Sequence, residues 1–333
     1  MLAILAPGQG SQTPGQLAAW LELPGAKERL RWWSSAAGVD LIAAGTTATA
    51  DEIRDTSIAQ PLLVATALLA AEALLSGRAP DGSPLPGATQ ARLAPDVVTG
   101  HSVGEVTAAA LCGALSTESA LLFIRTRGQA MARAAAATPT GMSALLGGDP
   151  EAVVAHLDGL GLTPANRNGA GQIVAAGDLD ALERLREDPP AGARVRPLPV
   201  AGAFHTEYMK PAQDELAAVA SGLTAASPAL PILSNADGTV VSDGGELVRR
   251  LIAQVSAPVR FDLCLRSLAD MGVTAVIELP PAGTLAGLVK RELPGVTITK
   301  LAGPDDLPAA RALLGPAVLD LEAPELTSTG ARS

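Results

Sequence analysis

The chain has 333 residues, 48% apolar and 17% charged, about two domains' worth at roughly 150 residues each, so dominant disorder is excluded. Aromatic residues are 2%, and 34 acidic against 24 basic residues give a net charge of −10. That balance excludes a base-stacking platform and a general nucleic-acid role, which draw on ring faces and clustered cations. Cys112 and Cys264 stand far apart in apolar, helix-like surroundings, which leaves no metal knuckle or disulfide framework; buried thiols are expected. Met1 to Leu5 lacks a positive flank and meets Pro7-Gly8, and the apolar run Pro61–Ala71 stops at Glu72. Neither a signal peptide nor a bilayer span is read there, and a cytoplasmic, soluble protein is expected.

Leu2–Ala6 reads as a buried strand closed by the tight loop Pro7-Gly8-Gln9-Gly10. A helix follows from Thr56-Ser57, taken as a hydroxyl N-cap, to Gly77 as its stop. Residues 78–95, with five prolines or glycines between Pro80 and Gly87, read as a surface loop. Asp96–Gly100 is a core strand, Val103–Cys112 a small-residue helix, and Ser116 caps a helix reaching about Ala136. The texture then changes. Met142–Leu146, Leu162–Asn168, Gln172–Ala176 and Val195–Val200 read as strands, with helices from Asp149-Pro150 and over Asp178–Arg186. That β-α-β-β-α-β order fits a ferredoxin-like α+β subdomain inserted over 134–199. The main domain resumes with helices 207–222, 245–256, 260–271 and 283–292 and strands 231–235 and 273–279. The fold class is therefore α/β, a hydrolase-like core with a largely parallel sheet over 1–133 and 200–303, and a tail over 304–333 that wraps the surface or frays.

Gly100-His101-Ser102-Val103-Gly104 matches G-x-S-x-G, in which a strained strand-to-helix turn exposes a serine. A composition-matched random chain carries on the order of 0.2 such matches, so the preceding strand and following helix make the argument. A serine nucleophile needs a base, and the chain offers His101, His156 and His205. His101 adjoins the serine and should point across the elbow, and His156 falls within a helix of the insertion. His205 follows a strand and precedes a helix, where catalytic side chains sit in α/β proteins. Asp237, Asp243 and Asp262 each have a turn or cap role, so a Ser-His dyad oriented by a backbone carbonyl is the preferred arrangement.

Together with Gly8-Gln9-Gly10-Ser11-Gln12, Gln60-Pro61, Arg127-Gly128, Asn168–Gln172, Ala203-Phe204-His205 and Gln254–Pro258, the elbow extended to Glu105 resembles the malonyl-CoA:acyl-carrier-protein transacylases, the acyltransferases of fatty-acid and polyketide synthesis, over residues 1–303. The resemblance implies Ser102 as nucleophile, His205 as base, an oxyanion hole from the Gln9 and Val103 amides, and a carbonyl near Gln254 orienting the histidine. It implies Arg127 as the reader of the malonyl carboxylate, a match of fork to carboxylate; Arg125, two positions away on the helix, cannot share its face. Phe204 resembles the ring of malonyl-selective members, and His101, Gln60 and Asn168 join the substrate-binding set. The implied reaction is ping-pong transfer from malonyl-CoA to the phosphopantetheine thiol of an acyl carrier protein, with no metal, no resident cofactor and a monomeric protein. A serine hydrolase or thioesterase on the same elbow, and a non-catalytic carrier-binding homologue, are the alternatives.

Two segments depart from the family pattern. Pro280-Pro281-Ala282 replaces Gly-Pro-Gly, moving any left-handed residue toward Gly283, and Gly169-Ala170-Gly171 replaces a Ser-Pro-Gly turn, loosening that hairpin. Arg184, Arg186, Arg194, Arg196 and Lys210 form a candidate basic patch for an acidic carrier.

Overall fold

The computed structural model describes residues 1–85, 93–200 and 202–316. Its first half comprises β1 (Leu2–Ala6), α1 (Ala26–Ala37), α2 (Leu41–Thr46), α3 (Thr56–Ser76), β2 (Leu93–Ala94), β3 (Val97–Gly100), α4 (Gly104–Leu111) and α5 (Thr117–Ala137). Next come β4 (Thr140–Gly147), α6 (Pro150–Gly159), β5 (Thr163–Gly169), β6 (Gln172–Asp178), α7 (Leu179–Glu187) and β7 (Ala193–Pro197). The chain continues through α8 (Lys210–Ala220), β8 (Ile232–Leu233), β9 (Val240–Val241), α9 (Gly244–Ala253), β10 (Val259–Arg260) and α10 (Phe261–Asp270). β11 (Ala275–Glu278), α11 (Thr284–Glu292), β12 (Thr297–Lys300), α12 (Leu307–Arg311) and β13 (Gly315–Pro316) close it.

Two sheets organise these elements. The larger runs β12-β11-β1-β3-β8-β9, parallel apart from the β8–β9 pair. Central β1 is apolar and buried at all five positions, as a strand covered on both faces must be. The smaller sheet runs β10-β5-β6-β4-β7. Its four strands from the middle segment pair antiparallel, and β10 adds a parallel edge next to β5. The smaller sheet is therefore not confined to 134–199: Val259–Arg260, from beyond that span, completes it. A two-residue strand carries too little periodicity to be read from sequence, and β12 escaped for a similar reason.

Local chemistry corrects several boundaries. α3 is capped not by Thr56 or Ser57 but by Asp55, whose carboxylate accepts from Ser57 N at 2.8 Å and from the Ser57 hydroxyl at 2.6 Å; a carboxylate also complements the positive helix end. The apolar run judged too short for a bilayer lies in this 21-residue helix, which is long and apolar enough to cross one. Its composition answers to burial inside the fold, from Thr56 to Leu74. The expected helix 207–222 divides into a 3-10 turn at Glu207–Met209 and α8, and β7 stops at Pro197, short of Val200. Of the tail, 304–316 is ordered: Leu307, Ala310 and Leu314 join the main core and β13 pairs with β2. Residues 317–333 and part of the 78–95 loop lie outside the described residues.

At the Pro280-Pro281-Ala282 departure, Gly283 does take a positive φ of 144°, and buried Glu278 accepts from the Gly283, Leu285 and Ala286 amides at 2.8 Å each. In the other departure Gly169, Ala170 and Gly171 all have positive φ. Both cysteines are buried and free, as expected.

The elbow explains its own glycines. A Cβ on Gly100 would stand 2.0 Å from the Gly104 carbonyl carbon, and one on Gly104 would stand 2.1 Å from the Ala6 carbonyl oxygen. Strand β3, the turn and helix α4 can be this close only without side chains there. Gly104→Ala is expected to destabilise the fold by about 3 kcal/mol or more, because the obstructing atoms are backbone; a thermal melt unchanged from wild type would contradict this packing.

Candidate active site

Ser102 sits between β3 and α4 with φ 52°, a left-handed conformation rare for a residue with a side chain. Asn235, just beyond β8, pins it: its Oδ1 accepts from Ser102 N at 2.7 Å and its Nδ2 donates to the Gly100 carbonyl at 2.8 Å. His205 is also left-handed, with φ 63°. The two side chains meet, Ser102 Oγ lying 2.8 Å from His205 Nε2. On the other side of the ring, Nδ1 lies 2.7 Å from the Gln254 backbone carbonyl. A carbonyl can only accept, so Nδ1 carries the proton and Nε2 is left as the acceptor for the serine hydroxyl.

Arg127 projects from α5 into the same place, 1% exposed. Its Nη2 donates to Ser102 Oγ at 3.2 Å and to Gln254 Oε1 at 3.1 Å, while Nε and Nη1 are buried with no partner among the described residues. A buried guanidinium with unpaired donors is set for an incoming anion. Gly128 allows the approach, since a Cβ there would meet the Thr56 carbonyl at 2.9 Å. Arg125 turns away and packs against Gly38, as its position on the helix requires.

A cavity of about 200 Å³ opens over the dyad, and its lining includes Gln9, Gln60, His101, Ser102, Asn168, Phe204 and His205. Seven sequence-selected residues thus line one cavity; Arg127 and Gln254 are not on its lining but stand behind Ser102, and Val103 is buried at the elbow. His101 does point across, its Nε2 donating to Asn168 Oδ1 at 2.7 Å, and its ring meets Phe261 edge-on at 5.3 Å. Gln60 Nε2 donates to Gln9 Oε1 at 3.3 Å, leaving Gln60 Oε1 buried and unpaired among the described residues. His156 lies on α6, off this lining. Asp237 accepts from Thr239 N, Asp243 caps α9 and Asp262 pairs with Arg260, so none of the three serves as a triad acid.

Two residues of the site carried no role in the sequence reading. Asn235 is one, and Glu105 is the other: its Oε2 accepts from Gln254 Nε2 at 2.6 Å and from Asn235 N at 3.1 Å. A polar residue ending an apolar strand, and for Glu105 its place at the end of the matching elbow segment and as the one charge in the helix GEVTAAAL, were the signals available. Burial drives the charges of the whole cluster. It pushes Glu105 up to about 7 and Arg127 down to about 10. His205 falls to about 3, through burial first and the Arg127 cation second. The imidazole is therefore neutral through the physiological range, the form a general base needs.

The acyl transferase domain family matches residues 6–305. The chain belongs to that family. Among curated relatives of this acyl transferase, the malonyl CoA-acyl carrier protein transacylase of Mycobacterium tuberculosis is 51% identical over 307 residues, covering 92% of this chain and 98% of the relative. A crystal structure of MCAT from Mycobacterium tuberculosis superposes with TM-score 0.84 at 49% identity, covering 93% of this chain and 99% of that one. A malonyl-transacylase solved in complex with a type II PKS acyl-carrier protein gives TM-score 0.84 at 28% identity, over 93% of this chain and 99% of that chain. The mixed α/β architecture with two sheets is common to these relatives and this acyl transferase.

Because Arg127 is the second cause of the depressed His205 pKa, Arg127→Gln should move the His205 titration upward, toward 6.5. Nitrogen chemical shifts of the imidazole followed against pH test this; an unmoved midpoint would show that the cation exerts no field on the ring.

Proposed function

We propose that the chain transfers the malonyl group of malonyl-CoA to the phosphopantetheine thiol of an acyl carrier protein, through a malonyl ester on Ser102. The observation that carries this reading is a serine-imidazole pair at 2.8 Å with a buried, half-unpaired guanidinium 3.2 Å from the same hydroxyl. A nucleophile beside a carboxylate reader selects an acyl group that bears a free carboxylate. The architecture supports an α/β-hydrolase-like core with a ferredoxin-like insertion over 134–199, given the antiparallel order β7-β4-β6-β5 of the inserted strands.

In the first half-reaction Ser102 Oγ gives its proton to His205 Nε2 and bonds to the thioester carbon. The oxyanion is met by the Gln9 and Val103 amides, which donate no hydrogen bond among the described residues. As the C–S bond breaks, the CoA thiolate leaves and takes the proton from His205. The carrier thiol then repeats these steps on the serine ester and returns the hydroxyl to Ser102. The substrate carboxylate has a second effect: by neutralising Arg127 it removes one of the forces that depress His205, so the base strengthens when the right acyl group is seated. Phe204 lines the cavity, and a bulky ring there would fill the space that an α-branch of the acyl group needs. One methyl is worth about 1–3 kcal/mol, so selectivity against branched groups is partial.

The carrier docks on the candidate basic patch. Arg186 is already paired with Glu183 and Lys210 with Asp214. Exposed Arg184, Arg194 and Arg196 form no ion pair among the described residues and are the side chains available to an acidic partner.

Intact-protein mass spectrometry after mixing with malonyl-CoA should show one malonyl adduct, absent in Ser102→Ala; an adduct retained on that variant would overturn the nucleophile. Arg127→Ala should lose malonyl loading by roughly 100-fold or more while keeping acetyl loading, the loss expected when a charged pair inside a buried site is broken. Equal loss of both would make the arginine structural. Neutralising Arg184, Arg194 and Arg196 together should slow delivery to carrier without slowing loading from CoA, with product partitioning between carrier thioester and free malonate as the readout.

A further inference from the structure

The side-chain amide of Gln254 lies between two buried opposite charges. Its Nε2 donates to Glu105 Oε2 at 2.6 Å, and its Oε1 accepts from Arg127 Nη2 at 3.1 Å. Glu105 is itself 1% exposed and is not among the residues that line the cavity. Its other oxygen, Oε1, has no partner among the described residues. Glu105 is thus the counter-charge of the substrate-reading arginine at one remove, and it shares that arginine with any carboxylate that enters the site.

We propose that Glu105 is a positioning residue that sets, through the Gln254 amide, how strongly Arg127 holds the carboxylate of the acyl group. The inference rests on the reading of Arg127 as carboxylate reader. When Glu105 is ionised it repels the second anion and competes for the guanidinium; when it is protonated, Arg127 belongs to the substrate alone. Binding a carboxylated acyl group therefore favours uptake of one proton by Glu105. The groups facing Glu105 leave it as the one that changes charge near neutrality. Arg127 from α5 is lowered only to about 10 and the Cys264 thiol from α10 is pushed up to about 12. Arg250 from α9 is held cationic by Glu246 and Asp237. Glu105 lies at about 7, and His205, beyond Gln254, is neutral above about 3.

The test compares malonyl-CoA with acetyl-CoA, whose CoA phosphates are shared and cancel in the ratio. In the wild-type chain the KM for malonyl-CoA should rise roughly tenfold from pH 6 to pH 8.5 relative to that for acetyl-CoA, with the kcat ratio changing less, as expected for one linked protonation. Glu105→Gln keeps an acceptor for Gln254 Nε2 and removes the charge, so its KM ratio should be low and flat across the same range. A wild-type-like rise in E105Q, or a flat wild-type ratio, overturns the proposal. Should E105Q not fold, calorimetry on Ser102→Ala in buffers of different ionisation enthalpy gives the same answer. Malonyl-CoA should bind with net proton uptake at pH 7.5 and acetyl-CoA without it; no uptake, or equal uptake by both, refutes the coupling. Loss of malonyl preference in Arg127→Ala separates the two ideas: if that preference persists, the reading of Arg127 fails first.

Discussion

The hydrogen bond from His205 Nδ1 to the Gln254 carbonyl, at 2.7 Å, decides how the rest of the site works. A neutral carbonyl fixes the tautomer and ring plane as well as a carboxylate would, yet adds no negative charge beside the imidazole. The Arg127 cation beside Ser102 is therefore not cancelled by a triad acid, and its field reaches both the serine oxygen and the ring.

Around that bond the polypeptide concentrates its strain. Ser102 and His205, two of the three residues with side chains that adopt positive φ among the described residues, are the two joined by the 2.8 Å hydrogen bond. Such backbone persists only where the surroundings over-determine it, and Asn235 together with the Gly100 and Gly104 contacts does so for Ser102. Burial then sets the electrostatics: the shifts of Glu105, Arg127 and His205 all have desolvation as their largest cause. A cluster this enclosed responds strongly to one added carboxylate, because little water is present to screen it.

Much of this was legible in the chain itself. The G-x-S-x-G turn, the position of His205 among three histidines and the dispensability of an acid followed from residue chemistry, and the long helices and β1 followed from periodicity. What escaped depended on tertiary partners. Two-residue strands such as β10 exist only because a neighbour pairs with them. Asp55 replaced Thr56 and Ser57 as cap because a carboxylate one position earlier was the stronger acceptor. Asn235 and Glu105 had ordinary local readings, a strand end and a first-turn acid on α4, and their contacts with the site appear only when distant segments converge on Gln254.

β10 has a mechanical consequence. The strand that edges the smaller sheet begins at Val259, a few residues after the carbonyl that steers the imidazole, and α10 follows it without a break. The smaller sheet is thus tied through a few residues of backbone to the carbonyl that accepts from His205 Nδ1, so the edge of that sheet and the seat of the imidazole belong to one continuous segment.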